Sequence, residues 1–344
     1  MKTLREALRA AGARPRHETL ALRAWCRGLA LDAFAKREDS GFPKRLRAEL
    51  PTLQRLFDSL VAVSAEHPGA DGSARLLLAL GDGQTIESVL LPGDGVCVST
   101  QVGCAVGCTF CMTGRDGLRR QLRSAEIVAQ VALARARRPI RRVVLMGMGE
   151  PAHNLDNVLE ALDLLGSEGD LNTKNLVFST VGDRRVFERL PHERIKPALA
   201  LSLHTTKAAL RAELLPRAPR IEPAELVELA DEYSRATKYP TQYQWTLLEG
   251  VNDGDDELEG IARLLAGKYA VMNFIPYNTV EGVPYRRPSW RRAAEMTRYL
   301  YDRGVLAKVR RSAGQDVEAG CGQLRRRHAA AAPPAATNAA AASR

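Results

Sequence analysis

The chain has 344 residues, of which 45% are hydrophobic and 26% are charged, a composition typical of globular proteins. It carries 50 Lys and Arg against 40 Asp and Glu, a formal net charge of +10. Six cysteines are too few for a disulfide scaffold, and no apolar run approaches the ~18 residues that span a membrane. Residues 1–17 are charged throughout, which argues against a secretory signal. We therefore expect a cytoplasmic protein without membrane contact, whose cysteines need a chemical explanation.

Positive charge is concentrated at the two ends of the chain. Residues 1–47 contain 12 Lys and Arg against 5 Asp and Glu, and residues 303–328 contain 7 against 2. Clustered basic charge is typical of nucleic-acid binders, but a solvated basic surface gives the same counts. Charge alone leaves both interpretations open. Residues 329–344 are rich in alanine without an apolar period, so we expect a disordered tail there.

The first 92 residues divide into a helical part and a hairpin. Residues 1–70 have helical apolar spacing in Leu20–Phe34 and Leu50–Val63, which predicts a small helical accessory domain. Residues 75–92 predict a β-hairpin, with strands Arg75–Leu80 and Thr85–Leu91 around a Gly-Asp-Gly turn.

Short apolar runs then alternate with longer amphipathic ones. Strands are predicted over Val96–Thr100, Arg142–Met146, Asn175–Ser179, Ala198–Ser202, Gln242–Leu247 and Ala270–Phe274. Helices are predicted over Ser124–Arg137, Leu155–Leu165, Pro223–Arg235 and Asp255–Leu265. This alternation indicates an α/β fold of parallel strands, with the chemistry at the carboxyl ends of the strands. Six repeats fit a partial barrel or a doubly wound sheet, and the periodicity does not decide between them.

Three of the six cysteines fall within eight residues, as Cys104-x-x-x-Cys108-x-x-Cys111. Glycines at 103, 107 and 114 let the backbone wrap closely, so that several sulfurs can converge. A 4Fe-4S cluster held by three thiolates leaves one iron open to a substrate or cofactor. A zinc site would need a fourth ligand, and buried structural cysteines have no packing reason to cluster. The cluster with an open iron is the favoured interpretation.

The cysteine spacing resembles the signature of radical SAM enzymes, whose open iron binds S-adenosylmethionine and whose fold is a partial (β/α)6 barrel. We accordingly expect such a barrel over residues 93–317, followed by a C-terminal loop over 318–328. Longer blocks resemble the RlmN/Cfr family, which methylates an adenine ring carbon of ribosomal or transfer RNA. These blocks are Gly95–Leu122, Val144–Pro151, Phe178–Gly182, Ala200–His204, Asn273–Asn278 and Gly314–Leu324.

The resemblance implies roles for individual residues. Cys104, Cys108 and Cys111 would hold the cluster. The residues that match cofactor-binding positions are Gly149, Glu150, Ser179, Ser202, Leu203, His204 and Asn278. Without the resemblance, these would be ordinary polar groups at strand ends that bond locally.

Two further cysteines and one carboxylate complete the implied site. Cys321 would carry a methyl group from a first S-adenosylmethionine, and the 5′-deoxyadenosyl radical from a second would remove hydrogen from it. Release of the methylated RNA would leave a transient Cys97–Cys321 disulfide. Glu87 matches a carboxylate that acts as proton acceptor, although a strand residue there faces solvent by default. Cys26 matches nothing.

Two departures from the family's sequence pattern leave open which RNA is the substrate. Residues 1–70 resemble the family's N-terminal RNA-binding domain only faintly. After the three cysteines, Met112-Thr113-Gly114 replaces the family's more usual Ser-Thr-Ala. We expect a monomeric RNA methyltransferase that receives electrons from a donor such as flavodoxin or ferredoxin. One alternative is a radical SAM enzyme that acts on another substrate, and a second is a non-catalytic zinc-bearing RNA-binding module.

Overall fold

The computed structural model describes residues 1–33 and 41–327. Three helices come first: α1 Lys2–Ala10, α2 Pro15–Cys26 and α3 Lys44–Asp58. The helix expected over Leu20–Phe34 begins and ends earlier, and Phe34 lies outside the described residues. The helix expected over Leu50–Val63 is wrong at its end, because strand β1 Val61–Pro68 follows α3. Burial alternates along β1, as the two-residue repeat of a strand requires.

The expected hairpin is part of a larger sheet. Strands β2 Ala74–Leu80 and β3 Thr85–Leu91 pair antiparallel as predicted, and β1 joins β2 on the outer side. On the inner side, β3 pairs antiparallel with β4 Gly95–Cys97. The hairpin therefore continues directly into the strands that follow it. A separate two-stranded sheet consists of β5 Gln101–Gly103 and β6 Leu118–Gln121.

From β4 onward the large sheet is parallel. Its further strands are β7 Arg142–Leu145, β8 Leu176–Thr180, β9 Ala198–Ser202, β10 Thr241–Leu247, β11 Ala270–Pro276 and β12 Ala307–Val309. Their order in the sheet follows the chain without reversal. A doubly wound sheet reverses its strand order, whereas right-handed crossovers in one direction place all helices on one face. Since β1 and β12 remain unpaired edges within the described residues, the sheet is a partial barrel, which confirms the expected fold.

The described residues after β4 form seven α-helices, which are α4 Ser124–Arg137, α5 Leu155–Ser167, α6 Arg184–Arg189, α7 Ala208–Leu214, α8 Pro223–Thr237, α9 Asp255–Leu265 and α10 Trp290–Tyr301. Four of these helices were predicted, and these four (α4, α5, α8 and α9) begin and end close to the predicted limits. Helices α6, α7 and α10 and strand β12 were not predicted; α10 and β12 add one more helix and strand after β11. Across the part of the chain that the structure describes, every helix is too short or too polar to cross a bilayer.

One apolar core joins the N-terminal helices to the barrel. Leu22 and Trp25 of α2 belong to the same buried cluster as Val143 of β7 and Phe178 of β8. Trp25 packs edge-on against Phe57 of α3, with 4.9 Å between ring centroids. The N-terminal helices are therefore packed on the barrel rather than tethered to it. The expected tail, 329–344, lies outside the described residues.

Candidate active site

A pocket opens at the carboxyl ends of the parallel strands, where the fold class predicts the chemistry. The strand-end residues that line it are Met146, Gly147, Ser179, Ser202, Gln244, Thr246 and Ile275. The loop between β5 and β6 supplies all three clustered cysteines, Cys104, Cys108 and Cys111. Cys321 lines the pocket as well, from a segment more than 200 residues away in sequence. The fold therefore brings four of the six cysteines to one place.

Glycine contacts shape the loop that carries the three cysteines. Gly107 has φ +66°, a conformation that favours glycine, and a Cβ on Gly114 would lie 2.7 Å from the Gly107 Cα atom. The backbone N–H of Cys111 also donates to the Cys108 carbonyl at 3.0 Å. This close crossing of the backbone keeps the three thiols together on one wall of the pocket.

The three thiols suit a positively charged group. Burial raises the pKa of Cys104 to about 12, and burial together with the negative charges of Cys111 and Cys104 raises the pKa of Cys108. A cationic iron centre beside them would reverse both effects and favour the thiolates. Within residues 1–33 and 41–327, no three His, Cys, Asp or Glu side chains are arranged around a single ion. A 4Fe-4S cluster does not require the three thiolates to surround one ion, because each thiolate binds a different iron atom.

Glu150 is a buried carboxylate at the base of the pocket. Its Oε1 accepts from the Ala152 N–H and its Oε2 from the Val181 N–H, both at 3.0 Å. Burial raises its pKa to about 7, and these two hydrogen bonds oppose the rise only in part. The preceding Gly149 has φ +107°, and a Cβ there would lie 2.7 Å from the Gln101 side chain. Gly149 thus allows the turn that aims Glu150 at the pocket.

His204 follows β9 and is held in one tautomer. Its Nδ1 accepts from the Thr246 N–H at 3.0 Å, so the hydrogen of the neutral ring lies on Nε2. Burial, with a smaller contribution from the Arg211 charge, lowers its pKa to about 3. Its backbone has φ +63°, and its ring packs edge-on against Phe110 at 5.0 Å. The pocket therefore contains a neutral imidazole that is an N–H donor.

The other predicted cofactor-binding residues fall into two groups. Ser179 and Ser202 are half-buried and line the pocket. Leu203 and Asn278 are buried outside the lining, where the Leu203 N–H donates to the Gln244 carbonyl at 3.1 Å. The Asn278 amide donates to the Cys321 carbonyl at 3.1 Å and to the Ser312 hydroxyl at 2.7 Å.

Cys321 lies at the tip of a segment that we call the Cys321 loop, residues 314–327. Its side chain is exposed toward the pocket. The loop is bound to the cysteine-bearing loop, because Met112 N–H donates to the Gly322 carbonyl at 2.8 Å and Thr113 Oγ1 donates to the Leu324 carbonyl at 2.6 Å. Cys97, at the end of β4, is buried, and burial together with a charge on Cys321 raises its pKa. The two thiols are therefore close enough to interact.

Glu87 lies apart from the pocket lining. It is fully buried in β3, so the solvent-facing default is wrong. Its Oε1 accepts from Arg75 at 2.5 Å and from Arg327, and its Oε2 accepts from the backbone N–H of Arg325 at 2.9 Å. Both carboxylate oxygens are occupied by the protein itself.

The residues that sequence reasoning missed include Thr246 and Tyr277 in the pocket lining and a buried arginine beside the pocket, Arg211. Arg211 of α7 is buried and donates to the carbonyls of Val181 and Ser202, and its Nε has no hydrogen-bond partner among the described residues. Tyr277 and Thr246 line the pocket, and the Tyr277 hydroxyl is also buried without a described partner. Nothing in the sequence marks Arg211, whereas Tyr277 lies inside a block that already resembled the family.

Comparison with known proteins agrees with this geometry. Residues 98–265 match the family model described as the radical SAM superfamily. A probable RNA methyltransferase of Aromatoleum aromaticum is 68% identical over 94% of this chain and 91% of its own length. A probable RNA methyltransferase of Thiobacillus denitrificans is also 68% identical, over 94% of this chain and 90% of its own length.

Solved structures show the same likeness. The crystal structure of a radical SAM methyltransferase from Sphaerobacter thermophilus is 38% identical and has a TM-score of 0.83. The match covers 93% of this chain and 96% of that one. It therefore extends beyond the barrel to the N-terminal helices and the C-terminal segment.

Proposed function

The chain belongs to the radical SAM superfamily and is one of its methyltransferases, and on that premise we propose that it methylates an adenine ring carbon, C2 or C8, of ribosomal or transfer RNA. The observation that carries the proposal is the position of Cys321. Its exposed thiol shares one pocket with Cys104, Cys108 and Cys111. A methyl carrier must reach both the cofactor and the base, and this position suits both contacts.

The residues of the pocket fit a 4Fe-4S cluster and S-adenosylmethionine. Cys104, Cys108 and Cys111 would hold the cluster, because their mutual repulsion as thiolates is relieved by bound iron. When bound, the reduced cluster supplies the electron that cleaves S-adenosylmethionine to methionine and a 5′-deoxyadenosyl radical. Glu150, an acceptor at the pocket base, suits the ammonium group of the cofactor.

Polar groups around the pocket would orient the rest of the cofactor. Ser179 and Ser202 offer hydroxyls at two neighbouring strand ends, and the His204 Nε2–H offers a donor. Leu203 would contribute through its backbone, since its side chain is buried. Asn278 would act through its bond to the Cys321 carbonyl. Gly149 would let the backbone approach the ligand closely.

Cys321 and Cys97 would do the group transfer. The Cys321 sulfur would hold the methyl group whose carbon is joined to the adenine ring. The Cys97 thiolate would then form an S–S bond with Cys321 while the bond between the Cys321 sulfur and the transferred carbon breaks. The electron pair of that bond stays on the carbon, which takes a proton and becomes the methyl group of the base, and an external reductant must reopen the disulfide. The interaction between the two thiols supports this pairing. An electron donor such as flavodoxin or ferredoxin would supply the cluster.

Positive charge near the pocket suits an RNA substrate. The guanidinium of Arg217 lies beside Gly107 in the cysteine-bearing loop, and the positive charge of Arg310 interacts electrostatically with the Cys321 thiol. Such charges neutralise phosphates and weaken with added salt. The names of both relatives from Aromatoleum aromaticum and Thiobacillus denitrificans also refer to RNA.

The test uses anaerobically reconstituted full-length protein with S-adenosylmethionine, a reductant, and total ribosomal and transfer RNA. Digested RNA is analysed by mass spectrometry for methyladenosine, and 5′-deoxyadenosine is measured in parallel. We expect a ring-carbon methyladenosine that Cys321→Ala and Cys111→Ala both abolish, and its retention time identifies the carbon. Cys26→Ala, which removes a thiol outside the pocket, is the matched control and should retain activity.

Two other outcomes would contradict the proposal. If 5′-deoxyadenosine forms but no RNA is methylated, the enzyme acts on another substrate. If Cys321→Ala still methylates RNA, the methyl group does not travel through that sulfur.

A further inference from the structure

The two ends of the Cys321 loop contact the antiparallel strands β1–β3, one at the β1–β2 turn and the other at β3. At the N-terminal end, the Gly314 N–H donates to Asp71 Oδ2 at 2.9 Å, and Asp316 Oδ2 accepts from the Ala70 N–H at 2.8 Å. At the C-terminal end, the Arg327 carbonyl accepts from the Thr85 hydroxyl. The loop therefore starts beside the β1–β2 turn, reaches the pocket with Cys321, and returns to the start of β3.

Glu87 lies where these two ends meet. Its Oε2 accepts from the Arg325 N–H at 2.9 Å, and its Oε1 accepts from the Arg327 guanidinium. The same Oε1 accepts from Arg75 at 2.5 Å, and the Arg75 Nε donates to the Val317 carbonyl at 2.6 Å. The Glu87 carboxylate thus binds residues 325 and 327 directly and residue 317 through Arg75.

The charged groups around Glu87 hold its carboxylate in one position. Two guanidinium groups face one carboxylate that has no exposed surface, and Arg75 is itself only 7% exposed. Hydrogen bonds between ions in such a buried place are strong and directional. Removing the carboxylate charge would leave the buried Arg75 and the half-buried Arg327 cations facing each other and would weaken the bond to the backbone N–H of Arg325.

We propose that Glu87 is a positioning residue, which closes the base of the Cys321 loop and thereby fixes the place of the Cys321 sulfur in the pocket. The inference rests on the proposed role of Cys321 as methyl carrier. It assigns to Glu87 an action through the loop, because its carboxylate lies outside the pocket lining and is paired with two guanidinium groups, whereas a proton acceptor would need to meet the base in the pocket. Arg75 and Arg327 share the task, since each holds one end of the loop.

The experiment compares Glu87→Gln, which keeps the shape and removes the charge, with Arg327→Met, which removes the partner at the loop end. The exposed Glu318→Gln, which removes another acid that pairs with Arg327, is the matched control. Hydrogen exchange of residues 314–327 is measured on the full-length reconstituted protein. Methyladenosine formed per 5′-deoxyadenosine is measured on the same samples.

We expect exchange in residues 314–327 to rise at least about tenfold in Glu87→Gln and in Arg327→Met, with wild-type exchange in Glu318→Gln. The methyladenosine yield per 5′-deoxyadenosine should fall at least about tenfold in the first two variants, because the radical still forms while the sulfur is misplaced. A loop that exchanges faster while that yield stays unchanged would overturn the inference.

A second result would also overturn it: Glu87→Gln loses methylation, exchange stays at the wild-type rate, and Arg327→Met remains active. Glu87 would then act on the reaction directly. Failure of the proposed function is recognised separately, since Cys321→Ala would then retain methylation while the exchange measurement still reports on the loop.

Discussion

Two buried carboxylates on neighbouring parts of one sheet have opposite surroundings. Glu150, after β7, meets two backbone N–H groups, and its pKa is raised to about 7 because burial outweighs them. Glu87, in β3, meets the guanidinium groups of Arg75 and Arg327. Burial without a directly paired cation leaves a carboxylate that can change its charge or bind a cationic ligand. Burial between two paired guanidinium groups leaves a carboxylate that holds chain segments together.

Among the variants that test this comparison, Glu87→Gln should have the largest effect on stability. Removing one partner from a buried ion network leaves an uncompensated charge, so we expect the free energy of unfolding to fall by roughly 3 kcal/mol. The fall is read from urea unfolding of the metal-free protein in reducing buffer at pH 7.5. In Glu318→Gln the change should stay within about 0.5 kcal/mol, since that acid is half exposed and screened. Equal effects in the two variants would break the comparison.

Glu150→Gln should show an effect that depends on pH. The pKa of Glu150 is about 7 in the folded chain against 4.5 when exposed, so the folded protein binds the extra proton between these values. Wild-type stability should therefore fall, relative to Glu150→Gln, as pH rises from 4.5 through 7, by about 3 kcal/mol in total. Urea unfolding at pH 5 and pH 8 measures the difference. A constant difference between the two proteins would mean that Glu150 does not titrate in this range.

His204 provides a smaller effect in the same pocket. Its pKa is lowered to about 3, so protonation should be absent from pH 8 to pH 5, and the hydrogen should remain on Nε2. Nitrogen-15 chemical shifts of the imidazole report both the charge and the tautomer. The pH profile of cofactor binding should accordingly lack a step near 6.5 from this residue. An imidazolium signal at pH 6 would contradict the prediction.

Cys26 should show the smallest effect, because it is a buried thiol outside the pocket. Burial raises its pKa to about 12, and no other cysteine lies among the charges that affect it. Cys26→Ala should leave the iron and sulfide content unchanged and lower the free energy of unfolding by about 1 kcal/mol. Cys108→Ala, with a thiol of similar size removed from the pocket, should instead lose bound iron. The iron and sulfide contents of both variants are measured after reconstitution.

Local patterns were sufficient for most of the elements and for the cysteine wall of the pocket. The strand at Ala198–Ser202 and the helix at Asp255–Leu265 begin and end as predicted, because their apolar repeats coincide with their ends. The choice between a barrel and a doubly wound sheet lay beyond such patterns, since strand order depends on contacts between distant segments. The helix predicted to reach Val63 failed because the repeat changes from helical to alternating at Val61.

Glu87 shows the same limit of sequence-based prediction for a single residue. Alternation along β3 gave it a solvent-facing default, but both faces of that strand are covered. The covering groups come from Arg75, 12 residues before it, and from Arg327, 240 residues after it. Only the folded chain brings these charges together. In contrast, Cys104, Cys108 and Cys111 are neighbours in sequence, so their shared position could be predicted from spacing.

Because the large sheet is continuous, it limits where the chain can be truncated. The segment that matches the superfamily, 98–265, begins after β4 and ends before β11. A fragment cut at those limits would expose the backbone edges of β7 and β10, both of which are paired on each side in the whole chain. Exposed apolar strand edges pair with other chains, so such a fragment should aggregate instead of forming a minimal enzyme. Useful truncations of this protein would have to keep residues 61–97 and the strands through β12.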